Sequence, residues 1–383
     1  MRLDFMEYYT FNKSEFENLW ANSFIVFDTN VLLSWYRYSE NTVDEYNKLM
    51  MQLKDRLWIP YQIGKEYHNQ RLNVIVQQIK VYQEFIVKLN EIQKELSNKN
   101  KNPFLSEELF KNLSDVLIKS ENELRNRITS FEKLLNEDHY LDLISNFYED
   151  KVGEKYSIEK IEEIKKDGAQ RYKNKVPPGY MDIDKSEEEK YGDLIIWNQL
   201  IDKSKTEKKS IIFITDDRKD DWWYIKDGRT LGPRPELRKE FKNLTGENIY
   251  IYKPFKFLEY AYQTLKIAIN DIAIQESKEL PPFEVLKSLM GVSKLIFTIE
   301  YEKQSRESPL HAFIELFQEN GYENYLTEIT PLKGKIFIII PNINDLQRRI
   351  KIKFISQIEN YGLKLINDKI EIFTSSFFDN FKN

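Results

Sequence analysis

Asp28, Glu66, Asp193 and the adjacent pair Asp216 and Asp217 are the residues of this sequence best suited to chemistry, because each ends an apolar run or opens a helical one. In "FIVFDTNVLL", residues 24 to 33, an Asp stands on the last step of a strand-like apolar string. In "SIIFITDDRKDDWW", residues 210 to 223, a second such string runs into a pair of acids. Ligands bind in the crevice beyond the carboxyl ends of the strands of an open α/β sheet, so acids at those ends are placed for chemistry. Taken alone, Asp28 reads as well as the N-cap of the next helix, accepting hydrogen bonds from the free N–H groups of its first turn. Glu66 and Asp193 fall in the first turns of two helical segments, each after a break. Strand C-termini and helix N-termini share one edge of a parallel sheet with helical crossovers, which lets all four positions converge. Carboxylates gathered in one crevice repel one another unless cations sit among them. Carboxylate oxygens without His or Cys suit Mg²⁺ or Mn²⁺, held with waters and completed by a phosphate.

The elements that must carry these acids are readable from period and punctuation. "SFIVF" (23 to 27) has the β-branched and aromatic character of a buried strand, and "DRLWIP" (55 to 60) reads as a strand stopped by Pro60. "YQIGKEYHNQRLNVIVQQI" then reads as a helix with Glu66 on its first turns. From about 72 to 175 the chain is rich in Lys, Glu, Asn and Leu, with Ile75, Ile79, Tyr82, Ile86 and Leu89 at helical spacing, which predicts a helical insertion. It closes on "IKKDGAQRYKNKVPPGYMD", a basic run that meets a Pro-Pro-Gly turn. "YGDLIIWNQLID" (191 to 202) resumes as a helix, and "PFKFLEYAYQTLKIAINDIAI" (254 to 274) predicts a long helix closing the first domain.

Composition limits the classes. The 383 residues exceed one ordinary core and predict two domains. A formal net charge of −5 provides no overall basic field for nucleic acid, so any such contact must be local. The absence of Cys excludes disulfides and thiolate metal sites, and three scattered histidines, His68, His139 and His311, argue against a His-built zinc site. With no basic start, no apolar leader and no run of about 18 apolar residues, the expected location is cytoplasmic, without membrane contact.

In "FDTNVLL", the Glu of "IPYQIGKEY", "YGDLIIW" and "FITDDRKDDWW", and more weakly in "PPGYMD" and "GPRPELRKEF", the sequence resembles the PIN-like nucleases, in particular the bacterial group with a long helical insertion. The resemblance covers roughly residues 20 to 262 and is carried by the order of the motifs more than by any one of them. It implies an α/β fold with a parallel sheet flanked by helices, and a Mg²⁺- or Mn²⁺-dependent endonuclease with Asp28, Glu66, Asp193 and an Asp of "TDD" as its acids. The family's Thr-x-Asp spacing from Thr215 points to Asp217, yet Asp216 lies closer to the strand end, and both stay candidates. Asn30 and Thr215 match polar positions that orient carboxylates or waters. The implied reaction is in-line attack of a metal-activated water on a backbone phosphate, which needs no His base. Asp28 would bridge or anchor the metals, Asp193 with Asp216 or Asp217 would complete one site, and Glu66 would help a second or orient the water. RNA rather than DNA is the substrate that family habit favours, and a toxin-like or antiviral effector restrained by a regulatory protein partner fits the same reading. Lys65, Arg71, Lys173, Lys175, Arg218, Lys219, Arg234 and Arg238 are candidates to grip phosphates, each with a solvated charge as its plainer role. Trp222, Trp223 and Tyr224 offer base stacking or core packing.

These readings divide the chain into a nuclease domain over 1–265 with its insertion, a helix end and linker over 266–290, and a small α+β domain over 291–383. In the last, "KLIFTIEYE", "SPLHAFIELFQENG", "NYLTEIT", "KIFIIIP", "NDLQRRIKIKFISQIENYG" and "LINDKIEIFTS" read as strand, helix, strand, strand, helix, strand, the order of a ferredoxin-like sandwich. Such sandwiches dimerise, bind proteins or touch RNA; an interaction module or homo-oligomer contact is the default here, since its strands lack the aromatic pattern of an RNA-reading sheet. Two other functions compete. A haloacid-dehalogenase-like phosphatase also begins with an Asp at a strand end, but its second Asp two positions on is here Asn30. A PIN-shaped scaffold that binds nucleic acid or protein without cutting is the other.

Overall fold

The computed structural model describes residues 1, 4–98, 105–187 and 189–281, and beyond them strands at 294–303, 328–332, 335–340 and 363–373. The chain divides into two units, Met1–Pro282 and Phe283–Asn383.

In the first unit α1 (Lys13–Asn22) leads into β1 (Phe24–Phe27), followed by α2 (Thr29–Leu33), α3 (Glu40–Leu53) and the long α4 (Tyr61–Leu96). The helices α5 (Glu107–Lys133), α6 (His139–Tyr148), α7 (Ile158–Lys173) and α8 (Gly192–Glu207) precede β2 (Ile211–Ile214). A hairpin of β3 (Trp223–Lys226) and β4 (Arg229–Pro233), α9 (Pro235–Thr245), β5 (Ile249–Tyr252), α10 (Pro254–Leu265) and α11 (Asp271–Glu279) complete it.

The sheet that positions the acids is parallel, in the order β1-β2-β5, with Phe27 opposite Ile214 and Ile214 opposite Tyr252. Every residue of the central strand β2, Ile-Ile-Phe-Ile, is buried, as expected where helices cover both faces and no polar alternation is needed. On one side Trp20 of α1 stacks on Phe257 of α10, and its indole N–H donates to the Tyr252 hydroxyl at 3.1 Å. The ladder runs one step past the strands: Asp28 N–H donates to the Ile214 carbonyl at 2.8 Å and Thr215 N–H to the Tyr252 carbonyl at 3.0 Å. Asp28 and Thr215 therefore leave the sheet side by side.

Several elements differ from expectation. "DRLWIP" makes a 3₁₀ turn at Lys54–Arg56 and then only single bridges, Leu57 to Ile25 and Ile59 to Val152, because the turn uses up its first two residues. No boundary falls at residue 72: α4 runs unbroken from the site into the insertion. Within the insertion α5 buries only Leu117, while α6 buries Ile144, Phe147 and Tyr148 against the core. The helix expected over 254–274 ends at Leu265, where Lys266 takes the left-handed conformation, and Asn270 caps a new helix, α11, within the stretch read as linker. The hairpin turns on Asp227 and Gly228, both at positive φ, as a two-residue turn requires. Among the described residues no helix is long and apolar enough to cross a membrane.

The second unit shows four antiparallel strands, β6 (Lys294–Lys303), β7 (Glu328–Leu332), β8 (Lys335–Ile340) and β9 (Leu363–Phe373), in the order β7-β8-β6-β9. The two helices expected there, and His311 with them, lie outside the described residues.

Candidate active site

Asp28 is both cap and cluster member. It is the N-cap of α2, with Oδ1 accepting from Thr29 N–H at 2.8 Å, while Oδ2 accepts from the Thr215 hydroxyl and the Asn30 amide, each at 2.6 Å. Asn30 in turn accepts from Asp216 N–H at 2.9 Å, so one amide ties α2 to the end of β2. Glu66, on the second turn of α4, accepts from Gln62 at 2.8 Å and from the Thr29 hydroxyl at 2.9 Å. Facing it is the start of α8, where a Cβ on Gly192 would stand 2.7 Å from Glu66 Oε1. Glycine at that position lets the turn bearing Asp193 close on Glu66. Asp193 accepts from the indole of the buried Trp222 at 3.2 Å.

Burial raises the Asp28 carboxyl well above the ordinary carboxylate range; Thr215's hydrogen bond opposes this, and the nearby charges of Asp193, Glu66 and Asp217 add to it. Burial likewise raises Glu66, with Gln62 opposing and Asp193 adding. It raises Asp193 too, where Lys219 opposes and Asp217 and Asp182 add. The structure thus brings together Asp28, Glu66, Asp193 and Asp217. Asp216 turns elsewhere: burial raises it to about 6 against the nearby cations Arg218, Arg37 and Lys253, and Arg218 lies 3.5 Å from its Oδ1.

Lys219 stands inside the cluster, not on its rim. Its ammonium lies 2.9 Å from Asp217, 3.0 Å from Asp182 and 3.7 Å from Asp193. Burial disfavours its charge, but the three carboxylates outweigh that and hold it protonated. Asp182, buried and also paired with Lys185 at 2.9 Å, was missed in the sequence, although "PPGYMD" ends on it. Asp221 was missed as well. Fully buried, it accepts from Gly179 N–H at 2.9 Å and Met181 N–H at 3.1 Å through Oδ2, leaving Oδ1 without a hydrogen-bond partner. These bonds hold the Pro-Pro-Gly turn, whose Gly179 sits at φ 90°. Burial, then the charges of Asp193 and Asp217, raise Asp221 to about 7.

Among the described residues no three His, Asp or Glu side chains are set to hold a metal ion as they stand. The donor chemistry nevertheless fits a hard divalent cation: the converging groups are all carboxylate oxygens, and a lysine ammonium already serves as a cation among three of them.

The other expected phosphate contacts part ways. Arg71 pairs at 2.5 Å with Asp138, the cap of α6, and is committed to holding the insertion on the core. Arg234 pairs with Asp220 and Glu236 and donates to the Tyr180 hydroxyl, bracing the loop after β2. Arg238 donates to the carbonyls of Glu7 and Tyr9 and lies over Phe11, fastening the N-terminal segment. Arg218 donates to the Leu280 carbonyl at 2.9 Å. Lys65, Lys173 and Lys175 are exposed. Trp222 and Trp223 are buried and unavailable for stacking, whereas Tyr224 on the hairpin is 42% exposed.

No curated protein and no solved structure matches the chain. A family model described as a PIN-like domain matches residues 24–237, more than half of the sequence, and that span includes every acid from Asp28 to Asp221. With the parallel sheet and its acidic edge in place, this match shows that the chain belongs to the PIN-like domain family, whose fold is of the nuclease type.

Proposed function

We propose that the protein is a metal-dependent endonuclease that hydrolyses phosphodiester bonds, with RNA as its substrate. One observation carries the reading: four carboxylates from separate elements, Asp28, Glu66, Asp193 and Asp217, converge at the carboxyl edge of the parallel sheet, where burial first, with neighbouring carboxylate charge adding to it, raises Asp28, Glu66 and Asp193. Such crowding is costly in an apoprotein without a cation and useful with one. Asp28, Glu66 and Asp193 are the residues that would hold Mg²⁺ or Mn²⁺, with Asp217 completing the acidic edge beside them. When bound, the ion lowers the pKa of water and offsets charge on the phosphate. Asn30, Thr29, Thr215 and Gln62 keep the carboxylates oriented through the hydrogen bonds described. The exposed Lys65, Lys173 and Lys175 supply local positive charge for flanking phosphates in a chain of net charge −5.

The test is incubation of the purified protein with total RNA, single-stranded DNA and duplex DNA, each with Mg²⁺, Mn²⁺ or EDTA, and mapping of the ends produced. RNA cleavage that depends on the metal and is lost in Asp193→Asn is the expected result. Cleavage persisting in EDTA would overturn the metal reading; cleavage of DNA alone would overturn the substrate.

A further inference from the structure

The acidic cluster is divided by charge into two halves. In one, Asp182, Asp193 and Asp217 surround the Lys219 ammonium at 2.9 to 3.7 Å. In the other, Asp28 and Glu66 accept hydrogen bonds from neutral donors only, Thr29, Asn30, Thr215 and Gln62. Among the described residues neither of these two acids has a cationic side chain within ion-pairing distance. Asp193 belongs to both halves, touching Lys219 and adding its charge to Asp28 and Glu66.

We infer that the site takes a single divalent cation, held by Asp28, Glu66 and Asp193, and that the Lys219 ammonium fills the position a second ion would otherwise occupy between Asp193, Asp217 and Asp182. The inference rests on the metal-dependent reading above and departs from a two-ion site. Lys219 is fixed in place from both ends. Its backbone N–H donates to Asp217 Oδ1 at 2.7 Å while its ammonium meets Asp217 Oδ2, so the same carboxylate holds the start and the tip of the side chain. A lysine held this way is a compact point charge with three donors, and three carboxylates stand ready to accept them. A divalent ion entering that half would have to expel it against like-charge repulsion.

The full-length protein, stripped with EDTA and dialysed, is titrated with Mn²⁺; bound ions are counted by calorimetry and by the loss of the free-Mn²⁺ spin-resonance signal, and RNA cleavage is assayed on the same samples. The wild type should bind one Mn²⁺ per chain. Lys219→Met, which empties the inner position while leaving the carboxylates, should bind two; Lys219→Arg, which keeps the charge, should bind one. Two ions on a cleaving wild type would overturn the inference and leave the nuclease reading intact. A wild type that binds none and cleaves nothing would remove both. A folded Lys219→Met that still binds one ion would show that Lys219 excludes nothing. If Lys219→Met does not fold, the wild-type and Lys219→Arg counts decide.

Discussion

A carboxylate that caps a helix and one that sits among other carboxylates respond oppositely to losing their charge, and Asp28 does both. As a cap alone, Asp28→Ala would cost about 0.5 to 2 kcal/mol with or without metal. Asp28→Asn retains an acceptor for Thr29 N–H and removes a charge that Asp193, Glu66 and Asp217 oppose. Its metal-free melting temperature should therefore equal or exceed that of the wild type, while the stabilisation added by Mn²⁺ shrinks, since that gain follows mass action on binding to the folded state. Melts in EDTA and across a Mn²⁺ titration check this; an identical metal-induced shift in both proteins would remove Asp28 from the ligands. Asp221 makes the pH prediction. Its folded value of about 7 lies above the roughly 3.9 of an unfolded Asp, so the folded state holds this proton more tightly. The stability it lends is complete below the unfolded value and is lost as pH rises through the folded one. In EDTA the wild type should lose on the order of a few kcal/mol between pH 4 and 8 through this group, with burial of the carboxyl driving the loss, Asp193 and Asp217 adding to it and Lys219 moderating it. Asp221→Asn should flatten that slope, as denaturant midpoints at each pH would report. Asp28 and the pair Asp216 and Asp217 were legible as candidate acids because an apolar strand runs into them, but nothing in the sequence chose between the two members of the pair. Asp221 and Asp182 were not, because their roles depend on how the Pro-Pro-Gly turn folds back, which no period in the sequence encodes.

Elements divide into those that build the edge and those that project from it. The strands β1 and β2 and the starts of α4 and α8 were readable because buried strands and amphipathic helices have periods of their own. The break after Leu265 was not, since a Lys in the left-handed conformation carries no compositional mark, whereas the Asp227-Gly228 turn carries the standard hairpin dipeptide. The paired helices α4 and α5 show where an insertion can be removed. Beyond Ile86 α4 buries nothing, and the 27 residues of α5 bury only Leu117. Most of this arm therefore contributes little apolar burial to the unit, one Leu being worth roughly 1.5 to 3 kcal/mol. Replacing residues 89–124 with a short Gly-Ser turn should leave a cooperative melt within a few degrees of the wild type and the same Mn²⁺ count. Loss of the melt would make the arm part of the core. Lys173 and Lys175 leave the insertion at its other end, where Tyr172 buries itself against Gly179 and Tyr191. Neutralising both should weaken RNA binding and lower its salt slope by up to about two charges' worth, measured by anisotropy across a salt series.

At the scale of the molecule, the family match ends at residue 237, but the first unit continues to Pro282. The sequence suggests a domain end at 265, whereas the first compact unit includes α11, whose contacts tie it to α3. Glu276 accepts from Ser39 N–H and the Ser39 hydroxyl, each at 2.6 Å, and from the Thr42 hydroxyl at 2.5 Å. Ser39 is the N-cap of α3 and makes no capping bond of its own to that helix, so α11 supplies from a distance what the local sequence omits. Ala273 and Ser277 of α11 are buried, and the chain just beyond gives its Leu280 and Pro281 carbonyls to Arg218 and Arg37. Hydrogen bonds to a charged group contribute about 1.5 to 3 kcal/mol each, so losing this helix should cost several kcal/mol. A protein ending at Pro282 should therefore unfold cooperatively, bind Mn²⁺ as the full chain does and keep its metal-dependent cleavage. One ending at Leu265 should melt markedly lower, because α3 loses its cap and Arg218, next to Asp217, loses an anchor. Denaturant unfolding of the two truncations side by side decides the matter: equal midpoints would mean that α11 is dispensable and that the domain does close at 265.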